Sequence, residues 1–214
     1  GIWTTSQATD AVAAGTWAVP TAPHLFAWGI NSQGQLGLGN TTYYSSPKQV
    51  GNLVTWSVIS GGRPIGTFVL SVKTDGTLWT WGYNNFGQLG IGDVAVRNSP
   101  IQVGTSSDWS KVAGGAYHVL ALKTNGTLWA CGYNGLGSLA LGDRTNRSSM
   151  VQIGTLSDWS KISTSVNHHV VAIKSDGTLW AWGRAGSYNP LVIQLSQGSA
   201  ILPQQIWFEN EYGI

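Results

Sequence analysis

Charge, sulfur and long apolar runs are all scarce in this sequence. Only 9% of the 214 residues are charged and the formal net charge is +2, which argues against a nucleic-acid partner. The single cysteine, Cys131, excludes a disulfide within the chain. No apolar run approaches the roughly 20 residues of a membrane helix, and no secretory leader opens the chain. We therefore expect a protein with neither nucleic acid nor membrane as its partner.

A repeat is what the chain has in abundance. Residues 123–134 recur, with small changes, at residues 73–84 and 174–183, and in part at residues 25–31. A glycine shared by all four copies recurs at spacings of 53, 50 and 51 residues. A fixed period near this length is typical of repeat architectures. These glycines are Gly29, Gly82, Gly132 and Gly183.

Each copy predicts a small unit of β-structure. An Asp-Gly or Asn-Gly pair, such as Asn125-Gly126, stands between alternating apolar residues and predicts a hairpin with a type I′ turn. A glycine-rich loop follows, and a second pair of strands is predicted after it, for example at residues 100–104 and 108–114. Four short strands per period are what a propeller blade requires. The glycine-rich loops each offer one core leucine: Leu36, Leu89 and Leu139.

These motifs together resemble a known family. The combination of Trp-Gly-x-Asn, Gly-Gln-Leu-Gly-x-Gly, Pro-x-Gln-Val and the segment from Gly114 to Lys123 resembles the repeat of the regulator-of-chromosome-condensation family. The resemblance covers roughly residues 25–183 and implies a β-propeller, which in that family commonly has seven blades. Seven blades at this period would need roughly 360 residues. We expect an all-β, propeller-type array of about four blades that is reduced, open or completed by another subunit, which favours a homo-oligomer or larger assembly.

The repeat divides the chain into two regions. Residues 1–24 are interpreted as an N-terminal arm with a short helix from about residue 5 to Ala14, and residues 25–214 as the propeller-type domain. Trp3 and Trp17 bracket the helix, so the arm either anchors the subunit in an assembly or covers the edge of the first blade. The last blade is atypical: the glycine-rich loop is missing after Gly183, and residues 191–194 are predicted as its final strand.

The residues capable of chemistry mostly belong to the repeat itself. His118 and His169 take equivalent places, and we expect each to be a hydrogen-bonded structural imidazole. Cys131 stands where other copies have tryptophan, which predicts a core residue. A metal site needs three or four converging ligands, and no Gly-x-Ser-x-Gly or Gly-Lys-Ser/Thr motif occurs. We expect no catalytic residue, metal or cofactor. Six of the nine acids recur in this way: Asp75, Asp176, Asp93, Asp143, Asp108 and Asp158.

The loop between the glycine-rich motif and the Pro-x-Gln strand is the candidate binding element. Equivalent loops of a propeller emerge on one face, and loops often carry binding residues. The alternative is that these loops are simply solvated tips. The candidate residues are types common at interaction hot spots: Tyr43, Tyr44, Arg97, Arg144 and Arg147.

These observations favour a non-enzymatic structural or interaction protein. The opening residues 1–17 are similar to short openings of structural proteins from tailed bacteriophages, which suggests a virion component of the capsid surface, neck or tail that binds protein or a surface glycan. The alternative is an extracellular or cell-surface bacterial binding propeller, either an adhesin or an inhibitor, since the fold also resembles secreted propellers that inhibit β-lactamases. Nothing in the sequence resembles the surface feature of a nucleotide-exchange factor.

Overall fold

Short antiparallel strands make up the part of the chain that the structure describes. The structure is a computed structural model that describes residues 24–52, 55–62, 67–184 and 200–205. The predicted all-β architecture is confirmed. The strands are β1 (Phe26–Gly29), β2 (Tyr44–Gln49), β3 (Trp56–Gly61), β4 (Phe68–Lys73), β5 (Leu78–Gly82), β6 (Arg97–Gln102), β7 (Trp109–Gly114), β8 (His118–Lys123), β9 (Leu128–Gly132), β10 (Arg147–Gln152), β11 (Trp159–Thr164), β12 (His169–Lys174), β13 (Leu179–Gly183) and β14 (Ala200–Gln205).

The strands form a half blade and complete four-stranded blades. The half blade is β1 paired with β2, and each complete blade is an antiparallel meander in chain order: β3–β6 is blade one, β7–β10 blade two and β11–β14 blade three. Strand β7 contacts both β3 and β11, so the first strands of successive blades are neighbours, as around a propeller axis. Within the described ranges no sheet closes on itself. The fold is therefore an open or partial propeller.

Two details of strand placement differ from the sequence-based expectation. The strands predicted near residues 100–104 and 108–114 form, but β6 pairs with β5 and β7 pairs with β8. Gly104, with φ of +59°, turns the chain at the end of β6 and starts its crossing to the first strand of the next blade. The last blade takes its fourth strand from β14, which pairs with β13. The strand predicted at residues 191–194 lies outside the described residues.

The hairpin turns are three-residue loops, so the type I′ prediction is wrong. The Gly126 N–H donates to the Lys123 carbonyl (3.0 Å), and the Lys123 N–H donates to the Thr127 carbonyl (3.1 Å). Gly126 has φ of +79°, whereas Asn125 has no positive φ, which defines a type I turn followed by a glycine bulge. The Asn125 Oδ1 accepts from the Thr127 N–H and hydroxyl, and the Thr127 hydroxyl accepts from Trp129 Nε1 (2.9 Å). This chain of hydrogen bonds favours the longer turn.

Replacing Gly126 by alanine should destabilise the fold more than replacing Gly177, its equivalent in blade three. Both glycines have positive φ, which costs an alanine about 1–2 kcal/mol. An added Cβ at Gly126 would also collide with the Ser157 carbonyl, whereas no described atom lies within 4 Å of one at Gly177. We expect G126A to lower the free energy of unfolding by about 3 kcal/mol and G177A by about 1 kcal/mol in urea titrations. Equal losses would contradict the role of the Ser157 contact.

The core lies between neighbouring blades. Leu36, Leu89 and Leu139 are all buried, which confirms them as core residues. Cys131 is fully buried in the cluster that contains Leu89, and burial raises the pKa of its thiol. Its interpretation as a core residue is confirmed.

Each joint between blades repeats one contact. The third strand of a blade points a buried side chain, tryptophan at two joints and cysteine at one, at the glycine-rich loop of the preceding blade. Trp81 Nε1 donates to the Gln35 carbonyl (2.9 Å), and Trp182 Nε1 donates to the Ser138 carbonyl (3.0 Å). At the middle joint, the Cys131 sulfur lies 3.5 Å from the Gln88 carbonyl.

Candidate interaction face

Loops from all blades gather at one end of the sheets. Gly82, the last residue of β5, pairs with both Phe68, the first residue of β4, and Arg97, the first residue of β6. Blade two has the same register. The loops before each second strand and after each third strand therefore lie at the same end of the blade. We call this end the loop face.

A buried asparagine folds each long loop of this face. The Asn84 amide Nδ2 donates to the carbonyls of Asp93 (3.0 Å) and Ala95 (3.1 Å), and its Oδ1 accepts from the Leu89 N–H (2.9 Å). The asparagine of the Trp-Gly-x-Asn motif thus ties the start of the loop to its end and positions the core leucine. Asn31 makes the corresponding three bonds in the half blade, and in blade two Asn134 bonds to the Asp143 carbonyl and the Leu139 N–H.

Two of the arginines predicted to bind a partner form salt bridges with an aspartate of their own loop. Arg97 and Arg147 begin β6 and β10, and their guanidinium groups pair with Asp93 and Asp143, respectively. The hydrogen bond from Arg147 is the largest of the effects that lower the pKa of the Asp143 carboxyl, and the hydrogen bond from the Thr145 N–H is the next largest. Both arginine side chains remain about a quarter exposed. Their guanidinium groups are therefore positioned on the loop face, and a role in binding stays a prediction.

The remaining three predicted residues differ in their surroundings. Tyr43 is exposed, whereas Tyr44 is half-buried, with its hydroxyl 3.2 Å from the Asn40 amide nitrogen. Arg144 is exposed and donates to the Gly135 carbonyl (2.9 Å). The binding role of these residues also stays a prediction.

A cluster of aromatic rings on the loop face was not predicted from the sequence. The Phe86 ring lies 4.9 Å from that of Tyr117 and 5.3 Å from that of Tyr133, measured between centroids. The Tyr133 ring lies 5.2 Å from that of His168. We call these residues, with Tyr83, the aromatic patch; every member is half-buried. A tyrosine after the third-strand glycine recurs in blades one and two, and that signal could have revealed part of the patch.

The aromatic patch has the composition of a recognition surface. Half-exposed rings packed against one another present apolar area at little cost in side-chain entropy. Gly135, whose carbonyl accepts the bond from Arg144, lies directly against the Tyr133 hydroxyl. Arg144 therefore borders the patch, and the combination of tyrosine and arginine is typical of interaction hot spots.

A buried histidine lies behind the patch. The His118 ring is fully buried, 5.7 Å from the His168 ring, and packs against Gly115, where a Cβ would collide with it. Neither ring nitrogen has a hydrogen-bond partner among the described residues, so the expectation of a hydrogen-bonded imidazole is wrong at this position. Burial, aided by the nearby His168, lowers the pKa of His118 to about 3. The ring is therefore neutral at neutral pH and acts as an apolar core residue.

Three further sequence-based predictions concern a metal site, a membrane helix and the N-terminal arm. Among the described residues no three histidine, cysteine or acidic side chains are grouped to hold a metal ion. The same residues include no helix with the length and apolar character needed to cross a bilayer. Trp3 and Trp17 lie outside the described part, so the arm and the boundary at residue 24 stay predictions.

Family models match the repeated region. The regulator of chromosome condensation (RCC1) repeat matches residues 24–66 and 75–122. A second model of the same repeat matches residues 109–138. Together the two models match half of the chain.

Curated relatives match only over part of their length. The human probable E3 ubiquitin-protein ligase HERC3 is 36% identical over 98 residues, which are 43% of this chain and 9% of HERC3. The secretion-regulating guanine nucleotide exchange factor of Bos taurus is 43% identical over 75 residues, which are 35% of this chain and 16% of that protein. The chain thus spans a small part of either relative.

Solved structures share the fold over most of the chain. Prp20p from Saccharomyces cerevisiae superposes with a TM-score of 0.74 at 21% identity, covering 86% of this chain and 46% of Prp20p. Human WBSCR16 superposes with a TM-score of 0.68 at 20% identity, covering 85% of this chain and 46% of WBSCR16. At this identity the similarity establishes the propeller fold alone.

Proposed function

Because this chain belongs to the regulator of chromosome condensation (RCC1) repeat family, we propose that it is a non-enzymatic structural or interaction protein that assembles with other protein subunits. RCC1-repeat propellers are a protein-interaction fold. Prp20p, whose structure is similar to this one, binds Gsp1p and histones. Prp20 has also been solved in complex with Kap60. The loop face, with its aromatic patch and arginines, is the proposed surface for a protein partner.

The observation that carries this proposal is the exposure of Trp28. Trp81 and Trp182, which take the same place in blades one and three, are 1% and 0% exposed, whereas Trp28 is 59% exposed. Phe26 and Ile30 are exposed beside it in the chain. The side chain at this position is core in every complete blade, whereas here the described residues leave it exposed. Grouped exposed apolar residues of this kind mark an interaction surface.

The joints inside the chain indicate what should cover Trp28. At each described joint, a glycine-rich loop of the preceding blade receives the side chain at this position. The carbonyls that do so, those of Gln35, Gln88 and Ser138, are already engaged within the chain. The loop over Trp28 should therefore come from a further blade outside the described residues, which we propose another subunit supplies.

At a finer level we propose a virion component of a tailed bacteriophage. The support comes from the sequence: the opening residues 1–17, the scarcity of charge, and the abundance of small polar residues suited to a durable exposed β-surface. The matched relatives named above are eukaryotic and do not bear on this location. The alternative is an extracellular or cell-surface bacterial adhesin or inhibitor. Partners would be other virion proteins, a further copy of the chain or a surface glycan.

Mass spectrometry of purified particles tests the virion role. Peptides of this chain should occur at a fixed copy number per particle. Replacing Trp28 by serine should reduce incorporation about tenfold or more, because it removes the side chain that a further blade would bury. Leu156→Ser is the matched control, since Leu156 is exposed and apolar but lies between β10 and β11, at the end of the sheets opposite the loop face.

Two results would contradict the proposal at different levels. Absence of the chain from particles, together with a monomer in free solution, would exclude the virion role. Equal incorporation of W28S and wild type would exclude Trp28 as an assembly contact. Release of guanine nucleotide from any GTPase would overturn the non-enzymatic assignment.

A further inference from the structure

A lysine is clamped between two tryptophan rings in every complete blade. Lys123, the last residue of β8, places its ammonium 4.9 Å from the ring centroids of both Trp109 and Trp129. These tryptophans come from the first and third strands of the blade. Blade one repeats the arrangement with Lys73, Trp56 and Trp79, and blade three with Lys174, Trp159 and Trp180.

Blades two and three supply a carboxylate to this ammonium. Asp108 lies 3.0 Å from Lys123 Nζ, and Asp158 lies 3.2 Å from Lys174 Nζ. Each aspartate immediately precedes the first-strand tryptophan of its blade. In blade two the ammonium also donates a hydrogen bond to the Ser106 hydroxyl (3.0 Å). The clamped lysine is thus charge-paired within its own blade.

Blade one lacks this carboxylate. Thr55 takes the place of the aspartate: its carbonyl accepts from the Thr74 N–H (2.7 Å), as the Asp108 carbonyl accepts from the Thr124 N–H (2.8 Å). Among the described residues, Lys73 Nζ has neither an acidic partner within 4.0 Å nor a hydrogen bond. Lys73 is only 5% exposed.

A cavity opens beside the Lys73 ammonium. Its volume is about 210 Å³, and its walls include Trp56, Trp79, Val50 and Pro100. The Trp56 Nε1, like that of the equivalent tryptophans, is a buried donor with no acceptor among the described residues. The cavity is smaller than a typical pocket for a drug-sized ligand, so it suits a group the size of a side chain.

We propose that blade one contains a carboxylate-binding pocket in which Lys73 pairs with an aspartate or glutamate side chain of a protein partner. The incoming carboxylate takes the place that Asp108 fills in blade two, above the same pair of tryptophan rings. Burial lowers the pKa of Lys73, although Asp75 opposes this shift, and a carboxylate in the pocket would stabilise the ammonium. The pocket is separate from Trp28 and independent of the virion role.

Titration with a capped glutamate tests the pocket. In two-dimensional NMR spectra of the full chain, Ac-Glu-NH2 should shift the indole N–H signals of Trp56 and Trp79, whereas the uncharged Ac-Gln-NH2 should not. Thr55→Asp supplies the internal carboxylate of the other blades and should weaken the apparent affinity about tenfold or more. Lys73→Met, which keeps an apolar stem but removes the cation, should weaken it as much.

The T55D variant keeps the test decisive even if K73M fails to fold. Binding of Ac-Glu-NH2 to T55D as tight as to wild type would overturn the proposal, as would equal shifts with Ac-Gln-NH2. Acetate, as a third probe, distinguishes a protein side chain from a free organic acid as the source of the carboxylate. If acetate shifts the indole signals as strongly as the capped glutamate does, the assignment to a protein side chain is overturned in favour of a free organic acid. Shifts caused by inorganic phosphate alone would overturn the carboxylate chemistry.

Discussion

Replacing Trp182 by alanine should lower the free energy of unfolding by about 3–5 kcal/mol, one of the largest single effects expected in this chain. The indole is fully buried at the joint between blades two and three, and its ring lies 6.1 Å from that of Trp159. The substitution removes a large apolar volume and leaves the Ser138 carbonyl without its donor. Urea unfolding followed by far-ultraviolet circular dichroism measures the loss without relying on tryptophan fluorescence.

The half blade supplies a matched control for this substitution. Trp28 has the same place in the repeat as Trp182 but is exposed. Trp28→Ala should therefore cost less than about 1 kcal/mol in a dilute sample of the chain alone. Similar losses of unfolding free energy for the two variants would contradict the view that this tryptophan stabilises the fold through its contact with the preceding blade rather than within its own blade.

Acidification should destabilise the fold through His118. The pKa of this ring is about 3 in the folded state and about 6.5 in the unfolded chain. As the pH falls below 6.5, the unfolded chain therefore takes up a proton that the folded chain does not. About one pH unit above 6.5 and higher, the ring is neutral in both states and contributes no pH dependence. Between pH 6.5 and 4.5 this single group should reduce the free energy of unfolding by about 2 kcal/mol, and the loss should continue towards pH 3.

Phenylalanine at position 118 should remove most of this dependence. Blade one already carries Phe68 at the equivalent place, since both residues pair with the last glycine of the third strand. Urea titrations from pH 7.5 to 4.5 should show one proton fewer taken up on unfolding for H118F than for wild type. His168 and His169, whose pKa values burial also lowers, contribute to the slope that remains. An unchanged slope in H118F would refute the assignment.

Features set by local pattern could be predicted from the sequence. Residue spacing and apolar alternation predict the blades, the buried leucines of the loops and the burial of Cys131. Each copy of the repeat shows the same pattern, which strengthens the prediction. The turn type was missed because Asn125 bonds forward to Thr127. Asp-Gly and Asn-Gly pairs alone do not distinguish a two-residue turn from a turn with a bulge.

Features that depend on contacts between distant segments could not be predicted. The aromatic patch joins rings from blade one, blade two and the residue before β12, and no periodic pattern in one copy reveals them as neighbours. The partner of Arg97 lies only four residues away, yet its binding role was proposed from residue type without considering that pair. The environment of His118 depends on Gly115 and His168 together, which only the folded chain brings into contact.

The acceptor at each joint between blades is a backbone carbonyl, which every amino acid supplies. Two of these positions carry glutamine, Gln35 and Gln88, and the third carries serine, Ser138, yet all three receive the side chain of the next blade. This acceptor is therefore kept whatever residue stands at the position, so the hydrogen bond sets no condition on the side chain there when a blade is copied, lost or exchanged by recombination.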